Sequence, residues 1–322
     1  MNHHRMRPSV LGVPATLVLL LAAIAGAADA QCLNPNMPTS ASTRALAMGD
    51  ANTAGRDDDV LFYGPAQLAV ARGTSAAVGR YDAHLTSATV ASTARLATGG
   101  VGIGASFQSA RNAAGCPLLL FGPGDTPPGT APRIFSRALF AVGAAQTFKR
   151  FRVGATAKHV TRTLGDERAD HFLADVGVAR DVSVRDGVPL TIALAVQNIG
   201  ARPGLATSLQ APLRGALGVA TGAPVGPLDL GLVAQLALER DLNQPIYRHP
   251  RVFGAAGAEV GYSWLDGYSV ALRAGVRRPP AFTDLRQLTA GAGLVLDRIA
   301  IDYAVEQLVH SRYAHRIGVR LR

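Results

Sequence analysis

Seven charged residues toward the end of this 322-residue chain fall on one beat of a two-residue alternation: Glu259, Arg273, Arg277, Asp302, Glu306, Arg316 and Arg320. In an extended strand, residues two apart share a face. These side chains therefore point the same way as the small residues Gly231, Ala255, Gly257, Ala271 and Gly275, opposite the apolar beat. Glu259 and Arg273 lie on consecutive candidate strands, as do Asp302 and Arg316, so opposite charges can face each other across a strand pair. Such a set can form ion pairs in a sheltered interior, where they are stronger than at an open surface. It either satisfies charges buried beneath a plug or lines a path for a substrate.

Catalytic chemistry needs more than this. A hydrolase requires a nucleophile, a base and an orienting group within hydrogen-bond reach. Of the eight histidines, His3 and His4 lie in a leader, while His84, His159, His171, His249, His310 and His315 fall near loops and strand ends. There is no Gly-x-Ser-x-Gly elbow and no His-Glu-x-x-His zinc site. The glycines from Gly99 to Gly104 belong to an alternating strand with no following helix to hold a phosphate. Three adjacent carboxylates, Asp57, Asp58 and Asp59, could meet a hard cation such as calcium. Neighbouring side chains cannot all converge, so a solvated turn is the expectation. No catalytic, cofactor or metal residue is assigned, and an enzyme is not expected.

The elements that would position these residues are strands. From Leu228 to Glu239, one face carries Leu228, Leu230, Leu232, Ala234, Leu236 and Leu238, and the other Asp229, Gly231, Gln235 and Glu239. Twelve such residues exceed the roughly 9–11 that a tilted strand needs to cross a bilayer. The pattern recurs in fourteen candidate strands, at 74–83, 86–96, 101–110, 134–148, 151–163, 170–181, 189–199, 212–221, 228–240, 251–263, 268–278, 286–296, 298–309 and 313–322. The connections alternate between short ones (Gly99-Gly100, Lys149-Arg150, Arg185 to Gly187, Ala223 to Pro227, Trp264 to Gly267, Asp297-Arg298) and longer ones at 110–133, 164–169, 200–211, 241–250 and 279–285. Only the first hairpin, near His84-Leu85, breaks this rhythm. An even strand number, short turns at one end and long loops at the other describe an outer-membrane barrel. Phe148, Phe151, Tyr262, Trp264 and Tyr268 flank two short turns, as an interfacial aromatic girdle would.

Composition sets bounds on both ends of the argument. A basic start with Arg5 and Arg7, an apolar run from Val13 to Ala28 and the small-x-small site Ala28-Asp29-Ala30 predict a signal peptide over 1–30, cleaved after Ala30. Losing Arg5, Arg7 and Asp29 takes the formal net charge from +10 to +9. The remaining cations are scattered singly rather than clustered on one face, which excludes a nucleic-acid footprint. They suit a lumen or anionic lipid headgroups. No later stretch reaches the roughly 18 apolar residues of a membrane helix, so a membrane-spanning form must be a closed barrel. Cys32 and Cys116 form one disulfide or remain two thiols, since sequence does not give their separation.

The segment 31–73 is different. It carries helix-like pieces at Thr43 to Met48 and Ala66 to Ala71, the second opened by Pro65. It is too short for its own core and is expected to pack inside the barrel of residues 74–322. The fold class is thus all-β: a fourteen-stranded antiparallel transmembrane barrel with a short helical N-terminal plug.

The residues of this segment resemble a known family. Ser42 to Ala51, including Arg44 and Gly49, and then Asp57 to Ala69, including Asp57, Asp58, Tyr63 and Pro65, are similar to the opening of the PorV/PorQ proteins, members of the FadL-like outer-membrane barrels. Asp175 to Val178, Ala195 to Gly200, Gly257 to Tyr262, Ala271 to Gly275, Leu288 to Gly293, Ile301 to Ala304 and His315 to Gly318 extend the match in order. Gly64 stands where the family carries Asn, Gln67 where Gly is usual, and Arg322 where many barrels end in an aromatic residue. The resemblance implies an N-terminal segment folded into or under the lumen. It implies passage of hydrophobic small molecules, as in fatty-acid channels, or service in type IX secretion, with secreted cargo or translocon proteins as partners. A soluble periplasmic β protein is the third reading. Outer-membrane lipid is the expected surrounding.

Overall fold

The computed structural model describes residues 39–81, 85–111, 134–164, 167–184, 188–200, 211–240, 251–278, 287–308 and 313–321. Residues 1–30, where a signal peptide is expected, and Cys32 and Cys116 lie outside the described residues.

The chain forms fourteen strands, each a stretch of period-two alternation. They are β1 (Gly73–Tyr81), β2 (Leu85–Arg95), β3 (Gly99–Arg111), β4 (Ile134–Phe148), β5 (Phe151–Leu164), β6 (Glu167–Ser183) and β7 (Pro189–Ile199). The second half holds β8 (Leu213–Val225), β9 (Leu228–Arg240), β10 (Arg251–Leu265), β11 (Tyr268–Arg277), β12 (Gln287–Leu296), β13 (Ile299–Gln307) and β14 (Tyr313–Leu321). Each strand pairs antiparallel with its sequence neighbours, and β1 closes the cylinder on β14, with Thr74 opposite Leu321 and Tyr81 opposite Ala314. Closure leaves no strand edge, so the backbone groups of the wall bond to one another.

Side-chain parity divides the wall. Outward positions such as Val78, Phe140, Leu194, Leu232, Leu272 and Ile317 are exposed and apolar. Inward positions such as Gln108, Asp175, Asp302, Glu306 and Arg316 are buried and polar. This is the reverse of a water-soluble protein and fits an apolar surrounding. The short turns are tight: Lys149, Asp297, Gly226 and Gly267 take positive φ (54°, 56°, 61° and 82°) within two-residue links. The predicted turn from Ala223 to Pro227 contracts to Gly226-Pro227, because β8 runs on through Pro224 to Val225. Likewise β6 begins at Glu167, so the expected link at 164–169 shortens.

The lumen is filled by residues 40–72. Helix α1 (Thr43–Ala47) is capped by Ser42, whose Oγ accepts from Ala45 N at 3.1 Å. It ends where Gly49 (φ +72°) and Asp50 (φ +63°) turn the chain back. Two 3-10 turns follow, η1 (Asp58–Phe62) and η2 (Pro65–Ala69). The predicted helix over Ala66 to Ala71 is thus a 3-10 turn, Pro65–Ala69, opened by Pro65. The solvated turn expected at Asp57-Asp58-Asp59 is corrected too: it opens η1, and Asp58 and Asp59 are only 4% and 3% exposed. Packing against the wall overrides the hydrophilic character of the triplet.

Small residues let this segment in. A Cβ on Gly275 would sit 2.2 Å from Gly49 N, and one on Gly257 2.5 Å from Met48 Cβ. A Cβ on Gly49 itself would lie 2.6 Å from Val276 O and 2.7 Å from Ala256 O. Backbone meets backbone there, so the plug fits only because the wall presents glycine.

Candidate functional site

The plug–wall interface concentrates nearly all the charged residues predicted to face inward. Four of them, Glu259, Arg273, Asp302 and Arg320, close a ring of six with Arg44 and Asp57 of the plug. Arg44 of α1 grips Glu259 of β10 in a bidentate pair, Nη2 to Oε1 at 2.8 Å and Nε to Oε2 at 2.9 Å. Glu259 also meets Arg273, its in-register partner on β11. Arg273 Nη1 reaches Asp302 Oδ1 on β13 at 2.7 Å, and Asp302 Oδ2 takes Arg320 Nε on β14 at 2.7 Å. Arg320 Nη1 lies 3.0 Å from Asp57 Oδ1, and Asp57 Oδ2 returns to Arg44 Nη1 at 2.7 Å. Three cations and three anions alternate, each with two partners, so the buried charge sums to zero. Isolated charges at this depth would be strongly penalised, and mutual pairing with saturated hydrogen bonds offsets that penalty.

The ring has a seam. Arg44 and Asp57 belong to the plug; Glu259, Arg273, Asp302 and Arg320 belong to the wall. Breaking Arg44–Glu259 and Asp57–Arg320 leaves a neutral Arg44–Asp57 pair on one side. On the other it leaves a neutral four-member chain in the wall. Neither part strands an unpaired charge.

A second cluster lies nearer the long-loop end. Glu306 pairs with Arg277, whose Nη1 is 3.3 Å from Asp50 Oδ2 in the plug. Asp50 Oδ1 accepts from Ser40 Oγ and Tyr63 Oη, both at 2.7 Å. Tyr63 Oη in turn accepts from Ala41 N at 2.9 Å and Ser42 N at 3.2 Å, tying η1 back to the start of α1. Arg316 is 0% exposed and spans wall and plug, donating to Ser87, Thr89 and the Ala41 carbonyl at 2.9–3.0 Å. The expected Asp302–Arg316 pair is therefore corrected: Asp302 stands opposite Gly318, from where it turns to Arg320 and Arg273.

Electrostatics inside the plug are uneven. Burial opposes ionisation of Asp57, yet Arg44 and Arg320 outweigh it and hold the carboxyl well below the usual carboxylate range. Asp59 has no such cation; burial, with Asp57 and Asp58 beside it, pushes it up to about 8. It accepts from Asn52 Nδ2 at 3.2 Å. Burial and the Asp50 and Asp59 charges raise the Tyr63 hydroxyl well above its ordinary value, so it stays a donor.

The opposite side of the plug is apolar. Leu61 and Leu68, both 0% exposed, pack with Leu139, Ala141, Val160 and Leu173. Polar ties flank it: Gln197 Nε2 donates to the Phe62 and Tyr63 carbonyls, each at 3.1 Å, and Arg56 pairs with Asp181 of β6 at 2.8 Å. Gln235 Oε1 accepts from Thr53 N and Oγ1. Pro65 lies buried against β5, where a Cβ on Gly154 would come 2.4 Å from its carbonyl.

Gly49, Asp57, Arg44, Tyr63 and Pro65 thus meet the wall, with Asp58 buried beside them. Sequence reasoning missed Ser40, Asp50, Asn52, Thr53, Gln197 and Gln235. The last two sit on the inward beat of their strands and could have been flagged; the plug residues carry no periodic signal. Gln67, at 0% exposure, donates to Ala54 O at 3.2 Å and bridges two plug turns. Gly64 is required here, since a Cβ would sit 2.3 Å from the Thr53 carbonyl. Among the described residues, no group of three His, Cys, Asp or Glu can hold a metal ion.

No known family profile matches the chain, and no curated protein matches its sequence. Its fold is similar to that of the Pseudomonas putida toluene transporter TodX (12% identity, 91% of this chain and 98% of that one, TM-score 0.54). It is also similar to the CymD monoaromatic hydrocarbon channel (9%, 86% and 96%, 0.58). A TodX deltaS2S3 mutant, titled a monoaromatic hydrocarbon channel, aligns with 12% identity over 88% and 98% at a TM-score of 0.54. In fold, the chain is similar to these solved barrels: fourteen antiparallel strands closed around an N-terminal plug.

Proposed function

We propose that this chain is a non-enzymatic outer-membrane barrel through which hydrophobic small molecules pass when the plug rearranges, reaching its membrane after signal-peptide cleavage at Ala30. The observation that carries this reading is the seam of the ion ring. A plug that served only as permanent filling would need no division into two neutral parts. A plug that moves is helped by one, because the six ring charges then stay paired on both sides, and only the Asp50–Arg277 and Arg56–Asp181 contacts must be given up. The apolar outward band supports a bilayer surrounding and argues against the soluble periplasmic reading. Solved barrels of similar fold are named as a toluene transporter and a monoaromatic hydrocarbon channel.

The test is to purify the protein in mild detergent, identify co-purifying molecules by mass spectrometry, and measure uptake of a labelled aromatic hydrocarbon into proteoliposomes. A stoichiometric hydrophobe and uptake above empty vesicles support the proposal; absence of both sinks it. The resemblance of residues 42–69 to the PorV/PorQ opening favours a second reading, docking of type IX secretion cargo or translocon proteins. Stoichiometric co-purification of a protein partner would move the assignment there.

A further inference from the structure

We propose that the β4–β5 hairpin and Arg180 form a binding site for the phosphate of an anionic phospholipid, in the leaflet at the short-turn end of the barrel. Arg180 faces outward on β6, in register with Phe151 on β5 and Ile192 on β7. Its guanidinium carbon lies 5.2 Å from the centroid of the Phe151 ring, a cation–π arrangement. Its Nε is shielded and has no hydrogen-bond partner. Among the described residues no carboxylate pairs with it: the adjacent Asp181 points into the lumen, where Arg152 and Arg56 take it. An arginine on an apolar outer wall, one residue row from the turn, therefore needs a counter-ion from its surroundings.

The hairpin beside it completes the chemistry. Phe148 and Phe151 oppose each other and are 58% and 46% exposed, as residues at a membrane interface are. Between them Lys149 and Arg150 are exposed, with Lys149 locked at φ +54°. The turn thus carries two exposed cations beside two exposed rings, with a third, Arg180, over one of them. Arginine's fork matches phosphate oxygens in pairs, and lysine adds a point charge. Other described two-residue turns carry no net positive charge: Asp266-Gly267 is acidic, Asp297-Arg298 neutral overall and Gly226-Pro227 uncharged. Clustered cations at a membrane surface favour a lipid of net negative charge over a zwitterionic one.

The site rests on the reading that the barrel spans a membrane. The test places the protein in nanodiscs of phosphatidylglycerol and phosphatidylcholine and identifies retained lipids by native mass spectrometry. We expect phosphatidylglycerol enriched several-fold over the bulk ratio on the native protein. The enrichment is expected to vanish in the Lys149→Gln/Arg150→Gln/Arg180→Gln variant, fall partly in Phe151→Leu, and persist in Arg240→Gln at the opposite end. Equal retention of both lipids, or enrichment surviving the triple substitution, overturns the site. Displacement by excess inorganic phosphate also overturns it, since it assigns the site to the free ion. If the triple variant lacks the shifted migration of a folded, unheated barrel, single Arg180→Gln carries the same reading. Failure of the native protein to enter nanodiscs would instead remove the membrane reading itself.

Discussion

The plug meets the wall in two different ways, and the contrast shows how one segment can be both held and releasable. Toward β10, β11 and β14 the contacts are ionic and directional, with Arg44, Asp50 and Asp57 reaching across to Glu259, Arg277 and Arg320. Toward β3, β4 and β5 they are mainly apolar, with Leu61 and Leu68 seated among Leu139, Ala141 and Val160, and the exposed Arg56–Asp181 pair lies beyond them on β6. Apolar contact is tolerant of small shifts, because it scales with area rather than angle. Ion pairs in a sheltered site are not: an arginine that loses its carboxylate is left desolvated and unpaired. The ionic side therefore fixes the docked position, and the apolar side lets the plug pivot or slide without losing its attachment.

The strongest way to break this contrast is Asp57→Ala. It leaves three arginines to two carboxylates in the ring, one sheltered positive charge without compensation, and should weaken plug docking by up to about 3–5 kcal/mol. Hydrogen exchange would show protection lost in residues 43–63 while the strands stay protected; unchanged plug protection would mean the ring does not hold it. Leu68→Ala attacks the other side and should cost about 2–5 kcal/mol from lost burial and the cavity left behind. Its effect should be the same in low and high salt, and a salt-dependent loss would erase the distinction between the two sides.

Acidity sharpens the comparison. Asp59 loses its proton near pH 4 when unfolded and near 8 when docked, so the neutral form stabilises the plug below pH 4 and that contribution fades as pH rises to 8. The expected loss is about 1.4 kcal/mol per pH unit in that window. Asp57, held low by its arginines, contributes stability present above pH 4 and lost only in stronger acid. Denaturant titration of plug release at pH 5 and pH 7.5 should favour pH 5 in the native chain and show little difference in Asp59→Asn. The smallest effect expected is Thr53→Val, which removes a hydrogen bond to Gln235 worth about 1 kcal/mol. A loss of several kcal/mol there would show that the β9 contact is a third anchor.

The wall was almost entirely legible in the sequence, because a strand exposed to apolar surroundings on one side writes its geometry as a period of two. Leu228 to Glu239 is read correctly from the alternation alone, as are all fourteen strands within a few residues. Errors arise at strand ends, where Pro224 and Glu167 continue a ladder that turn chemistry seemed to end. The plug was less legible for a physical reason. Its residues answer to the wall's shape rather than to a local period, so Asp58 and Asp59 look solvated in sequence and are buried in fact. The facing of Glu259 and Arg273 follows from strand order, but the tie of Asp302 to Arg320 depends on a two-residue offset along β14 that no pattern encodes.

The ring spans the whole chain: Arg44 meets Glu259 across 215 positions, and Asp57 meets Arg320 across 263. During synthesis and insertion the plug is made first and its last counter-charge arrives with the final strand. Until β14 is in place, Asp57 keeps only Arg44 and the cylinder has an open edge on β1. The same strand that seals the wall therefore completes the ring, so a finished circuit of charges registers that the cylinder has closed.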